Sequence, residues 1–155
     1  MRIEELTPET AQKYRHELAR FYYDNMQTWS SLAHCSFDRA DEKIGELITH
    51  LQTHTCISYG AFENDKIIGY IWAYPHPFRD ETRMYISELS VKKDHRRQGV
   101  GTALMNLVET RAREEGFPAL YLHAEAGSAE ATRFYEAAGY MPERIQFRKE
   151  IAAGQ

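Results

Sequence analysis

Positive charge is in short supply. Nineteen lysines and arginines stand against 23 aspartates and glutamates, for a net charge of −4 and a pI near 6.0. Tight nonspecific nucleic-acid binding needs a basic footprint, so that class is excluded and no nucleic-acid partner is expected. Cysteine is scarcer still. Cys35 and Cys56 are the only two, in no CxxC pattern, which excludes a disulfide framework and points to a reduced, cytoplasmic chain. No apolar run approaches the ~20 residues of a membrane span. The start, Met1-Arg2-Ile3-Glu4-Glu5, carries no apolar core of a signal peptide, so neither a membrane partner nor export is expected. The seven histidines are scattered and form no Cys/His cluster, so no metal is expected. Repeats, low-complexity segments and interdomain linkers are also missing.

What remains is ordinary globular material: 155 residues, 43% hydrophobic and 27% charged. That length fits one domain, 1–155, with a core of its own. Arg2 to Leu6 reads as a short strand. Thr7-Pro8 opens a helix, threonine as cap and proline at the first helical position, with an apolar stripe to about Met26. A second helix runs from about Arg39 to Thr53, with Asp38 or Asp41 as cap. Cys56–Glu63 and Lys66–Tyr74 form a hairpin about Asn64-Asp65. Pro75 to Thr82 breaks the pattern and reads as a loop. Met84–Lys92 is the next strand, followed by a helix from the glycines to about Glu115. Ala119–Ala124 reads as a buried strand, Ser128 starts a last helix ended by Gly139, and Arg144–Ile151 reads as a terminal strand. Strand–helix–strand implies a parallel pair and the hairpin an antiparallel one, so the fold class is α/β of the α+β type, with a mixed sheet and about four helices.

One stretch carries chemistry. The Met84–Lys92 strand enters a turn with two arginines and two glycines, Arg96-Arg97-Gln98-Gly99-Val100-Gly101-Thr102, and an apolar helical pattern follows. The first N–H groups of a helix lack intrahelical partners, and the helix dipole favours an anion there. Glycine lets a phosphate approach the backbone. There is no third glycine and no Gly-Lys-Ser/Thr, so neither the dinucleotide fingerprint nor the Walker loop fits. On the strand, simple alternation puts Ile86, Glu88 and Ser90 on one face and Ser87, Leu89 and Val91 on the other.

Arg96-Arg97-Gln98-Gly99-Val100-Gly101 at this junction, together with Ser128-Ala129-Glu130-Ala131-Thr132-Arg133-Phe134-Tyr135-Glu136-Ala137-Ala138-Gly139-Tyr140 downstream, resembles the GCN5-related N-acetyltransferase (GNAT) superfamily. The second motif usually begins with Asn, and here Ser128 stands in its place. The resemblance implies a single N-acetyltransferase domain whose central parallel strands splay around acetyl-CoA, with no metal. It implies that Gln98, Gly99, Val100, Gly101 and Thr102 hold the pyrophosphate, with Arg96 or Arg97 adding charge. Leu89, Ser90 and Val91 would lie along the pantetheine, and Ser128 and Tyr135 beside the cofactor. Acetyl passes directly to a primary amine, with the Leu89 N–H polarising the carbonyl.

That transfer needs a neutral amine, hence a base. Glu88 is the first candidate; His123 and Glu125 compete. Tyr135 is the candidate acid for the departing thiolate. Aromatic residues Tyr22, Tyr23, Trp29, Phe37, Trp72, Tyr74 and Phe78, with His123, are candidates for the acceptor site, and Arg79 or Arg83 for a substrate carboxylate. The expected acceptor is a small molecule: an amino acid, polyamine, aminoglycoside or similar. A protein or peptide acetyltransferase (N-terminal or lysine) and a non-catalytic acyl-CoA-binding regulatory module are the alternatives. Dimers are common in the superfamily, so a homodimer is a possible assembly.

Overall fold

The computed structural model describes residues 1–29 and 35–152; the side chains of residues 28 and 29 lie outside the described part. Two compact units result, 1–123 and 124–155. The first holds a five-stranded mixed sheet: β1 (Arg2–Glu5), β2 (Ile57–Glu63), β3 (Lys66–Phe78), β4 (Glu81–Val91) and β5 (Leu120–Tyr121), in that spatial order. All neighbours are antiparallel except β4 and β5, which are parallel.

The first predicted helix is two helices. Thr7 accepts a bond from the Thr10 N–H and caps α1 (Pro8–Lys13), which closes at Tyr14 (φ −100°) before α2 (Arg15–Trp29) begins. The Tyr14 hydroxyl donates to the Asp65 carbonyl at 2.8 Å, tying this break to the β2–β3 turn. Ser36, not Asp38 or Asp41, caps α3 (Phe37–Gln52). Asp41 instead takes two bonds from the Arg15 guanidinium, at 2.8 and 3.0 Å. The α3 stripe of Ala40, Ile44, Leu47, Ile48 and Leu51 is buried with Leu18, Phe62, Tyr70 and Trp72 in one core. On the other sheet face, α4 (Val100–Glu114) buries Val100, Leu104, Met105, Val108 and Ala112. A Cβ at Gly69 would come within 3.0 Å of the Ser90 carbonyl and 3.4 Å of Val100, tighter than ordinary packing, so glycine suits the point where α4 approaches the sheet.

Asn64 and Asp65 both have positive φ (50° and 60°), the geometry of a tight two-residue hairpin. The expected loop from Pro75 is strand instead. β3 runs through both prolines to Phe78 and turns at Arg79-Asp80 into β4. Its pairing with β2 ends at Ile57↔Ala73, so Pro75 and Pro77 are flanked by β4 alone, where a missing N–H is tolerated.

Two predicted strands differ. β5 is two residues long and half-buried, not a buried Ala119–Ala124 strand. In the second unit, Ser128 caps α5 (Ala129–Ala137), as its sequence suggests, and Gly139 (φ 92°) follows its end. Arg144–Ile151 forms no strand; Ile145, Phe147 and Ile151 are exposed. An alternating pattern needs a partner edge as well as side chains.

Candidate active site

β4 is the platform. Its register against β3 shifts between Trp72 and Ala73: Trp72 pairs with Glu88 and Ala73 with Ile86. Ser87 is therefore an extra residue, a bulge. A bulge changes the parity of everything after it. Ile86 thus shares the Ala73 face, whereas Glu88 and Ser90 share a face with Trp72 and Tyr70, correcting the simple alternation.

The bulge also decides which backbone groups face which neighbour. Near the start of β4, the Met84 N–H donates to the Ala119 carbonyl at 3.0 Å, toward β5. Past its end, the Lys92 N–H donates to the Ile68 carbonyl at 2.7 Å, toward β3. Counting back by twos, Ser90 and Glu88 turn their backbone to β3, and Leu89 and Val91 turn theirs to the opposite edge. The β4–β5 pairing stops at Met84↔Leu120 and Tyr85↔Tyr121. Leu89 and Val91 thus present backbone beyond the end of the β5 pairing, which is the splay the resemblance implies. The Val91 carbonyl accepts from Arg96 Nε at 3.1 Å.

After β4, a 3₁₀ turn (Lys93–His95) leads to Arg97 and Gly99, both with positive φ (62° and 82°). His95 braces the turn: its ring nitrogens lie 2.6 Å from Glu63 and 2.9 Å from Asp94. Asp94 and then Glu63 push the imidazole pKa up. Gly99 is the cap of α4 and offers no side chain, and the first helical bond runs from Ala103 to the Gly99 carbonyl. The N–H groups of Val100, Gly101 and Thr102 are thus free of intrahelical partners, which suits a pyrophosphate.

Glu88 is buried on the α2/α3 face of the sheet. Its Oε1 accepts from Asn25 Nδ2 at 2.8 Å and from the Ser90 hydroxyl at 2.6 Å, and Asn25 also donates to the Ser90 hydroxyl. Burial pushes the carboxyl up to about 7, against the opposing pull of Ser90, Asn25 and the Lys43 charge. Two buried polar atoms nearby, the Tyr70 hydroxyl and Trp72 Nε1, have no partner among the described residues. The Tyr70 phenol is held well above its ordinary pKa by burial and then by Glu88. Burial also raises Tyr22, with Glu88 the next cause.

Of the acceptor candidates, Trp72 lies opposite Glu88 and Tyr74 follows on the same face. Phe78 is six residues beyond Trp72, about 20 Å along a strand, under the Arg83 guanidinium at 3.9 Å. Arg83 itself donates to Glu81 at 2.6 Å. Tyr22, Tyr23 and Phe37 pack against the helical core. His123 is exposed, its ring 5.5 Å from Tyr85. The Trp29 side chain lies outside the described residues. Ser128, Glu125 and Tyr135 belong to the second unit, where the Ser128 hydroxyl accepts from the Ala131 N–H and the Tyr135 ring stands 5.9 Å from Tyr140. Sequence reading missed Asn25, Tyr70, Tyr85 and Tyr121. Asn25 is 63 residues from Glu88, and no local pattern marks it. His50 and His54 stand four apart, yet His54 (φ 55°) lies beyond α3 and His50 Nδ1 is 2.7 Å from Thr55. Among the described residues no three ligating side chains gather.

Residues 12–140 match the acetyltransferase (GNAT) family. The chain belongs to that family and is an N-acetyltransferase; acetyl-CoA is the family's co-substrate. It is 22% identical over 152 residues to the uncharacterised N-acetyltransferase YdgE of Bacillus subtilis, covering 96% of this chain and 97% of that one. It is 31% identical over 93 residues to mycothiol acetyltransferase of Jonesia denitrificans, which is 60% of this chain but only 28% of that protein. The fold is shared with a GCN5-related N-acetyltransferase from Ralstonia eutropha (TM-score 0.75, 19% identity, 97% of each chain). It is also shared with an aminoglycoside acetyltransferase from an uncultured soil sample, solved with sisomicin (TM-score 0.71, 19% identity, 97% of this chain and 96% of that one).

Proposed function

We propose that the chain, as one domain over 1–155, transfers acetyl from acetyl-CoA to the primary amine of a small molecule, with Glu88 as general base. The observation that carries this is Glu88 itself: a buried carboxyl near pKa 7 on the strand whose pairing with β5 ends at Tyr85. A base is most effective when its pKa lies near the working pH. An aliphatic amine, at pKa ~10, arrives mostly as ammonium and must lose a proton before it can attack.

Acetyl-CoA, when bound, supplies the acyl group as an activated thioester. The chain does the rest. The Val100, Gly101 and Thr102 amides meet the pyrophosphate, with Arg97 adding positive charge. The Leu89 and Val91 backbone, past the bulge, lines the pantetheine. The Leu89 N–H donates to the carbonyl oxygen as charge develops there. Glu88, directly or through one water, takes the proton that turns the ammonium into a neutral amine. The nitrogen then attacks, the carbon–sulfur bond breaks as the nitrogen–carbon bond forms, and the second nitrogen proton passes to solvent. The sulfur leaves with the electron pair and takes up a proton, a role for which the family resemblance alone proposes the Tyr135 hydroxyl. A thiolate near pKa ~8.5 is a tolerable leaving group, so this last role matters less than that of Glu88.

A panel of small amines assayed for acetyl-CoA-dependent release of CoA thiol tests the reading. Turnover of at least one is expected. Silence on every small amine, with acetyl-CoA still bound, would contradict it and favour a protein acceptor or a regulatory acyl-CoA module.

A further inference from the structure

The sheet face that carries Glu88 continues away from it as rings. Trp72 stands opposite Glu88, Tyr74 opposite Tyr85, and Tyr85 beside Tyr121. The centroids are 5.5 Å apart for Trp72 and Tyr74, 5.5 Å for Tyr74 and Tyr85, and 5.0 Å for Tyr85 and Tyr121. His50 of α3 stacks on Tyr74 at 4.8 Å and 18°. This continuity depends on the Ser87 bulge, which returns Tyr85 and Glu88 to one face although they are three residues apart. Trp72 is fully covered, whereas Tyr74, Tyr85 and Tyr121 are half-buried. The rings therefore form a floor that runs from the carboxyl to more exposed tyrosines, edged by His76, 2.6 Å from the Tyr121 hydroxyl, and by His123, 5.5 Å from the Tyr85 ring.

The floor is built of tyrosine and tryptophan rings, with no carboxylate or ammonium among them. Burial pushes the Tyr85 phenol up to about 12, with Tyr74, Tyr121 and then Glu88 adding to it. The carboxylates at its margins already have cations: Glu46 lies 3.2 Å from Lys43, and Glu81 lies 2.6 Å from Arg83. Lys43 Nζ itself stands 5.8 Å from the Trp72 ring. A polycation would find one cation already in place and, among the described residues, both of these flanking carboxylates already paired. A flat ring would find edge and face contacts from several tyrosines.

Building on the acetyltransferase reading above, we propose that the acceptor is a primary amine carrying an aromatic ring, which lies on the Tyr74–Tyr85–Tyr121 floor while its nitrogen reaches Glu88. Atoms balance as in the transfer already described: one ammonium proton goes to Glu88, the second nitrogen proton passes to solvent, and one nitrogen–carbon bond replaces one carbon–sulfur bond.

The test compares 2-phenylethylamine, hexylamine and spermidine in one preparation, by kcat/KM for CoA release and by calorimetric binding in the presence of CoA. The ratio of phenylethylamine to hexylamine is independent of how much protein is folded. It is expected to be about tenfold or more for the native chain and to fall to about threefold or less in Tyr121→Leu. A native ratio near one, a preference for spermidine, or a Tyr121→Leu ratio equal to the native one would overturn the proposal. Binding separates this from the reaction itself. Preferential binding of phenylethylamine without turnover would support the floor while refuting the proposed transfer; equal binding of the three amines would refute the floor whatever the rates.

Discussion

Glu88 gives one residue two measurable signatures. Its folded pKa is raised, from 4.5 to about 7. Between those values the folded state holds a proton that the unfolded state has lost, so stability falls as pH rises through this window. Above it the penalty is constant, on the order of 3 kcal/mol. Glutamine carries no such penalty. Glu88→Gln is therefore expected to melt above the native protein at pH 8 and to converge with it near pH 4, as followed by thermal denaturation. A difference that does not vary with pH would show that burial does not perturb the carboxyl. Glu88 was legible in the sequence as a carboxylate on an apolar strand. Its partner Asn25 was not, because α2 meets β4 only in the folded chain.

At the scale of elements, the cofactor edge depends on two backbone features. The glycine-bearing turn could be read directly, since spacing and the apolar helix after it are local. The Ser87 bulge could not: it exists only in the pairing of β4 with β3, and Ile86 was consequently placed on the wrong face. The two prolines of β3 misled for the same reason, because an edge is a property of the sheet. Gly99 offers the cleaner test. Its φ of 82° disfavours any side chain, yet a Cβ there would meet nothing within 4 Å. Gly99→Ala is expected to lower stability by about 1 kcal/mol through backbone conformation alone. It is also expected to weaken acetyl-CoA about tenfold by intruding on the anion seat, measured by calorimetric titration. Unchanged affinity would move the pyrophosphate elsewhere.

For the molecule as a whole, the family match runs from residue 12 to 140 and so spans both compact units. Much of the order of elements was readable from local stripes and caps, Thr7 before α1, Ser128 before α5 and the glycines after α4 and α5, whereas the break at Tyr14 and the Ser36 cap of α3 were not. The terminal strand was not, because residues 144–151 alternate without a paired edge. A ligand that binds only the folded chain stabilises it by mass action. Acetyl-CoA at a hundred times its Kd is expected to add about 2.7 kcal/mol. For a chain of this length that corresponds to a rise of about 5–10 °C in Tm. No shift at saturating acetyl-CoA would contradict the cofactor seat.

The central claim is that Glu88 takes the proton from the amine, and the pH dependence of kcat/KM for an amine that is turned over tests it most directly. For the native protein the profile should rise through a midpoint near 7, below the further rise set by the amine itself. In Glu88→Gln the midpoint near 7 should vanish and the rate fall about 10²-fold or more, with acetyl-CoA affinity retained. A mutant profile that keeps the same midpoint and a near-native rate would contradict the assignment.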